Sequence, residues 1–168
     1  LVISLSSGSA LAAEAPVVIE RAKAPIHAIA KGKGQAKLFF NATNGADKAS
    51  LSFLTIEYGA AVPLHNHPTS DEMLYVISGV MDMTVAGKAY TVKAGDAIRI
   101  PAGVDHSAKV ASKDEAVRVV QVYATPGPEQ RFTKAPKVDA AKLVASEAEG
   151  SELRVVRDNV GDHGRLAV

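Results

Sequence analysis

The segment GAAVPLHNHPTSDEMLYVISG, residues 59–79, says more about this chain than any other. It places His65 and His67 one residue apart, with Glu72 after them, between Gly59 and Gly79. On extended backbone, side chains alternate between faces, so His65 and His67 point to the same side. Pro63 stiffens the approach to the pair. Pro68-Thr69-Ser70-Asp71 is turn chemistry, and such a turn brings Glu72, at the start of the next strand, back beside the imidazoles. A second segment, GDAIRIPAGVDH at residues 95–106, ends on His106 beyond a turn containing Gly103. Three imidazoles and one carboxylate are a ligand set for a divalent transition metal. Ligands from separate strands converge only where a sheet curls, as in a small barrel.

The flanking sequence fits that requirement. Residues 36–40, 49–58, 72–77, 80–85, 89–92, 97–100, 107–110 and 117–123 are short alternating or β-branched runs that predict strands. Between them stand turn signals at Asn44-Gly45, Ala86-Gly87-Lys88, Lys93-Ala94-Gly95-Asp96 and Ala102-Gly103-Val104-Asp105. No helical period intervenes, so the expected class is an all-β antiparallel sandwich or barrel. Pro126-Gly127-Pro128 ends the sheet pattern. Asp139 then caps an expected short helix through Glu147, and residues 153–156 are a possible further strand.

The paired motifs Gly59-x5-His65-x-His67-x4-Glu72-x6-Gly79 and Gly95-x5-Pro101-x-Gly103-x2-His106 resemble the cupin superfamily, in its small single-domain bacterial form. The second motif usually closes with an Asn four residues after its His, where this chain has Val110. Only 15 residues separate Gly79 from Gly95, a minimal inter-motif segment. The resemblance covers residues 49–125 and implies one double-stranded β-helix, a jelly-roll barrel with an N-terminal extension and a C-terminal tail. It also implies dimerisation. It selects no reaction, because this one fold serves many chemistries.

Expected organisation is therefore residues 1–12 as a signal-peptide remnant, 13–36 as an N-terminal extension, 37–125 as the barrel, and 126–168 as a C-terminal extension. The first twelve residues, LVISLSSGSALA, carry no charge. They read as the end of an apolar signal core followed by the cleavage pattern Ala10-Leu11-Ala12, with the preceding basic region trimmed away. The stretch is shorter than the roughly 20 apolar residues of a membrane span. The expected location is periplasmic or secreted.

Composition narrows the chemistry. The 168 residues are 47% hydrophobic, and 19 basic against 18 acidic residues leave a net charge of +1, which argues against a nucleic-acid partner. Lys31, Lys33 and Lys37 are read as a solvated loop. Cysteine is absent, which excludes disulfides, thiolate ligands and a cysteine nucleophile. The remaining histidines, His27 and His163, are isolated and expected to face solvent. Met81 and Met83 lie at strand spacing and are expected in the core or on the outer face.

Four protein ligands leave two positions on an octahedral ion for water, dioxygen or substrate. That suits Fe or Mn redox chemistry and also Lewis-acid activation; Zn, Ni and Co are not separated by these ligand types. Arg99, Gln121 and Tyr123 are the candidates for contact with substrate. Arg99, between Ile98 and Ile100, faces either solvent or the cavity; inward, it would pair with an anion. Gln121 and Tyr123 share a face of the last strand. The favoured expectation is an oxidoreductase of dioxygenase type acting on a small oxygenated molecule. The alternatives are a non-catalytic metal or ligand binder and a Lewis-acid isomerase of a sugar-like substrate.

Overall fold

The computed structural model describes residues 16–138. The expected signal segment, the helix at 139–147, the strand at 153–156 and His163 lie outside them. Ten strands form within this range: β1 Ile26–Ile29, β2 Gly34–Phe40, β3 Ser50–Ile56, β4 Ala61–His65, β5 Asp71–Ser78, β6 Val80–Val85, β7 Lys88–Lys93, β8 Ala97–Ile100, β9 His106–Val110 and β10 Val117–Ala124. One short helix follows, α1 Gln130–Thr133. The strands make a six-stranded sheet in the order β1-β2-β3-β10-β5-β8 and a four-stranded sheet in the order β4-β9-β6-β7. Every pairing is antiparallel. The fold is the expected all-β jelly roll.

Period-two alternation decides which residues enter the core. Along β5, Glu72, Leu74 and Val76 are buried while Met73, Tyr75 and Ile77 are exposed. Leu38, Leu54, Leu74 and Val119 from the large sheet meet Met81, Met83 and Val110 from the small one in a single apolar cluster. Met81 and Met83 are therefore core residues. The inward face changes character along its length. Val117 on β10 lies opposite Ile56, and Val119 opposite Leu54, so that end is apolar. Four residues later Tyr123 lies between Ser50 on β3 and Glu72 on β5, all buried. The core becomes polar toward the end where the histidines gather.

The N-terminal extension contributes β1, an edge strand of the larger sheet. The run at β4 lies outside the expected strands because Pro63 interrupts its pattern. Proline cannot donate to a ladder and is confined to edges and irregularities. β4 is an edge strand, and its pairing with β9 is irregular between Val62 and His65.

His27 corrects an expectation. It is buried, not solvent-facing, and its Nδ1 lies 3.1 Å from the carbonyl of Ala135. The chain after the barrel folds back along β1: Ala28 N donates to Pro136 O at 3.1 Å, and Val138 N to Ile26 O at 2.9 Å. Phe132 on α1 is buried within the main core cluster. Isolation in sequence is a poor guide to exposure when a distant segment supplies the covering backbone. Among the described residues, no helix is long and apolar enough to cross a membrane.

Candidate metal centre

His65 is the last residue of β4, His67 lies in the turn beyond it, Glu72 is the second residue of β5, and His106 opens β9. The antiparallel pairing of β4 with β9 sets His65 directly opposite His106. Their ring centroids are 4.2 Å apart. His67 approaches from the turn, 4.9 Å from His65 and 5.2 Å from His106 between centroids. That turn is held by the second motif, since Gly103 N donates to His67 O at 2.8 Å. Gly103 has φ +76°, a conformation that side chains disfavour.

One ligand atom from each of the four residues lies within 4.8 Å of the others. Ring tautomers follow from the backbone. His65 Nδ1 is 2.8 Å from the carbonyl of Pro63, and His106 Nδ1 is 2.9 Å from that of Val104. A carbonyl only accepts, so each Nδ1 carries the proton and each neutral Nε2 presents a lone pair. The Nε2 atoms of His65, His67 and His106 are buried without a hydrogen-bond partner. Nε2 of His67 and of His106 stand 3.4 and 2.9 Å from Oε2 of Glu72, close enough for charge attraction but not aligned as hydrogen bonds. Three converging, unpartnered nitrogens beside a carboxylate would be costly to bury unless a cation took them. The cluster is positioned to bind a metal.

The carboxylate is held from behind. Glu72 Oε1 accepts from the Gln121 amide and from the Tyr123 hydroxyl, the latter at 3.3 Å. Tyr123 in turn accepts from Gln121 Nε2 at 2.9 Å and Arg131 Nη2 at 3.1 Å, so its own proton is directed to Glu72. Burial alone would raise the Glu72 carboxyl, but His106, His67 and Gln121 override it and hold the group well below the usual carboxylate range. Burial and the Glu72 charge push the Tyr123 phenol up, so it remains a donor. His65 is lowered by burial. Burial opposes the charge on His106 too, yet the Glu72 carboxylate raises it overall.

The site opens on a cavity of about 370 Å³. Its walls are largely apolar, with Leu54, Ile56, Leu74, Met81, Met83 and Phe132 among them; His65, Glu72, His106, Gln121 and Arg131 are its polar lining. Of the three candidates for substrate contact, Gln121 and Tyr123 point inward and touch Glu72. Arg99 does not. Its side chain is 61% exposed and pairs with Asp71, whose other oxygen accepts from Ala102 N at 2.8 Å. Alternation sends Arg99 outward because Ile98 and Ile100 face in. Arg131 is the pocket residue that the sequence pattern missed. It lies beyond the strands, in a segment with no periodicity to mark it.

The family model described as Cupin domain matches residues 52–123. Quercetin 2,3-dioxygenase of Bacillus subtilis is 32% identical over 81 residues, 48% of this chain and 24% of that protein. Germin-like protein 5-1 of rice, Oryza sativa subsp. japonica, is 36% identical over 72 residues, 39% of this chain and 33% of that one. These matches span less than half the length of the curated relatives. Among solved structures, a predicted oxalate decarboxylase from Thermotoga maritima aligns with a TM-score of 0.59 and 21% identity, over 65% of this chain and 99% of that one. An RmlC-like cupin from Shewanella frigidimarina aligns with a TM-score of 0.57 and 20% identity, over 70% and 96%. At these identities the structural likeness concerns the fold.

Proposed function

From the premise that residues 52–123 are a cupin domain, we propose that this protein is an exported, metal-dependent oxidoreductase of dioxygenase type acting on a small oxygenated molecule. The observation that carries the reading is the convergence of His65, His67, Glu72 and His106 at the polar end of an apolar cavity. These four residues would hold one divalent transition ion. When bound, such an ion supplies either redox chemistry toward dioxygen or Lewis-acid polarisation of an oxygen group.

The chain's own residues prepare the site for that role. The carbonyls of Pro63 and Val104 fix His65 and His106 in the tautomer that presents Nε2. Gln121 and Tyr123 occupy Oε1 of Glu72 and leave Oε2 toward the imidazoles. The apolar wall excludes water from a bound substrate and strengthens each polar contact within. A sugar-like substrate is disfavoured by the same wall, which offers few partners for a ring of hydroxyls. The relative named quercetin 2,3-dioxygenase supports the dioxygenase class. Export is supported by the uncharged, apolar beginning of the chain.

Elemental analysis of native protein, followed by oxygen uptake under Fe(II) or Mn(II) with a panel of small oxygenated aromatics, tests the reading. One ion per chain and substrate-dependent uptake are expected. His106→Ala should abolish both. Stoichiometric metal without uptake would mark a non-catalytic binder, and full metal content in His106→Ala would overturn the ligand set.

A further inference from the structure

Within the cavity that the proposed function uses, Arg131 and Gln121 keep hydrogen-bonding capacity that the described residues do not fill. Arg131 stands on α1, outside residues 52–123 matched by the family. Its guanidinium donates once, to Tyr123, and its Cζ lies 4.7 Å from the Phe132 ring centroid and 5.9 Å from that of Tyr123. It forms no ion pair with a carboxylate among the described residues. A guanidinium has five N–H donors arranged to grip a carboxylate with two at once. Gln121 is 2% exposed and uses its amide nitrogen on Glu72 and Tyr123, while its Oε1 has no partner. Both side chains touch the same Tyr123 hydroxyl and line the same cavity as His65, Glu72 and His106.

We infer that Arg131 is the anion-recognising residue of this cavity, and that the pocket takes a small monocarboxylate with an apolar body. The carboxylate would meet the guanidinium at the polar end, the body would lie against the Leu54, Met83 and Phe132 wall, and Gln121 Oε1 would accept from a ligand hydroxyl or a bound water. Phe132, buried next in sequence, anchors α1 and so places Arg131 at the cavity. Substrate choice is thus set by a segment that follows the barrel.

This inference takes its location from the proposed function, but it can be tested apart from it. Binding of cinnamate and of its neutral analogue cinnamamide is measured by calorimetry on the full chain, metal-free and loaded with Zn(II), in wild type, Arg131→Gln and Arg131→Lys. Wild type should prefer cinnamate by about tenfold in both states, as one charge-assisted contact provides. Arg131→Gln should lose that preference and keep its affinity for cinnamamide and its metal stoichiometry; Arg131→Lys should retain part of it. Equal binding of the two probes by wild type, no binding of either, or an undiminished preference in Arg131→Gln would overturn it. A protein that takes up no metal but shows the Arg131-dependent preference would sink the metalloenzyme reading and leave this one standing.

Discussion

The Gln121 amide donates to Oε1 of Glu72, and so assigns the two carboxylate oxygens different tasks. Oε1 is tied to β10, while Oε2 faces the imidazoles of His67 and His106. Partners behind a ligand orient it and tune its charge, and their loss typically lowers metal affinity by about 10–100-fold. Gln121→Leu, which keeps the bulk but removes the donor, should weaken metal binding by that range with little change in secondary structure. Competition against a chelator of known affinity reads the effect. Unchanged affinity would mean that Tyr123 alone suffices to hold Glu72.

Proton and metal compete for the same nitrogen of His106. Its raised pKa in the metal-free site contributes stability below the ordinary value of 6.5, which is lost as pH rises through the higher folded value. His65, lowered by burial, acts in the window below 6.5 and in the opposite sense, so it does not mask this loss. Metal binding needs the nitrogen free, so affinity should rise by about tenfold per pH unit for each proton displaced, then level off. Urea melts of metal-free protein and metal titrations between about pH 5.5 and 8.5 check both signs. A flat metal affinity would remove His106 Nε2 from the site.

Two motif glycines should differ in cost. Both have positive φ, +77° at Gly79 and +91° at Gly95. A Cβ on Gly79 would stand 2.9 Å from Val117 Cγ2 and 3.0 Å from its Cα, whereas one on Gly95 would meet nothing within 4 Å. Gly95→Ala should therefore cost only the left-handed strain, about 1–2 kcal/mol. Gly79→Ala should add about 1–3 kcal/mol for crowding the core. Equilibrium denaturation of the two variants gives the difference directly, and equal costs would contradict the packing at Val117.

Arg99→Ala should leave metal affinity within about twofold of wild type and cost less than about 1 kcal/mol, as exposed ion pairs do. The pair with Asp71 lies on the outer surface, away from the cavity. Chelator competition and a melt suffice, and a large loss of metal would show that Asp71 transmits to the turn through Ala102.

Much of the barrel was legible in the chain because strand alternation and turn chemistry are local. The spans at β6 and β8 emerge with their full bounds, and the four metal-site residues stand at spacings that extended backbone and two turns make adjacent. His27 and Arg99 show where such reading stops. A lone histidine in the lead-in looks solvated until Ala135, more than a hundred residues later, covers it. An arginine between isoleucines has two faces open to it until the sheet closes.

What local pattern specifies is which residues share a face, since pleat and turn geometry depend on neighbours a few positions apart. Which face becomes the cavity, and what else enters it, depends on contacts between distant segments. Gln121 turns behind Glu72 because β10 pairs with β5. Arg131 reaches the cavity because Phe132 buries into a core made by both sheets. Those are tertiary facts: burial of apolar surface chooses them, and no periodicity announces them in advance.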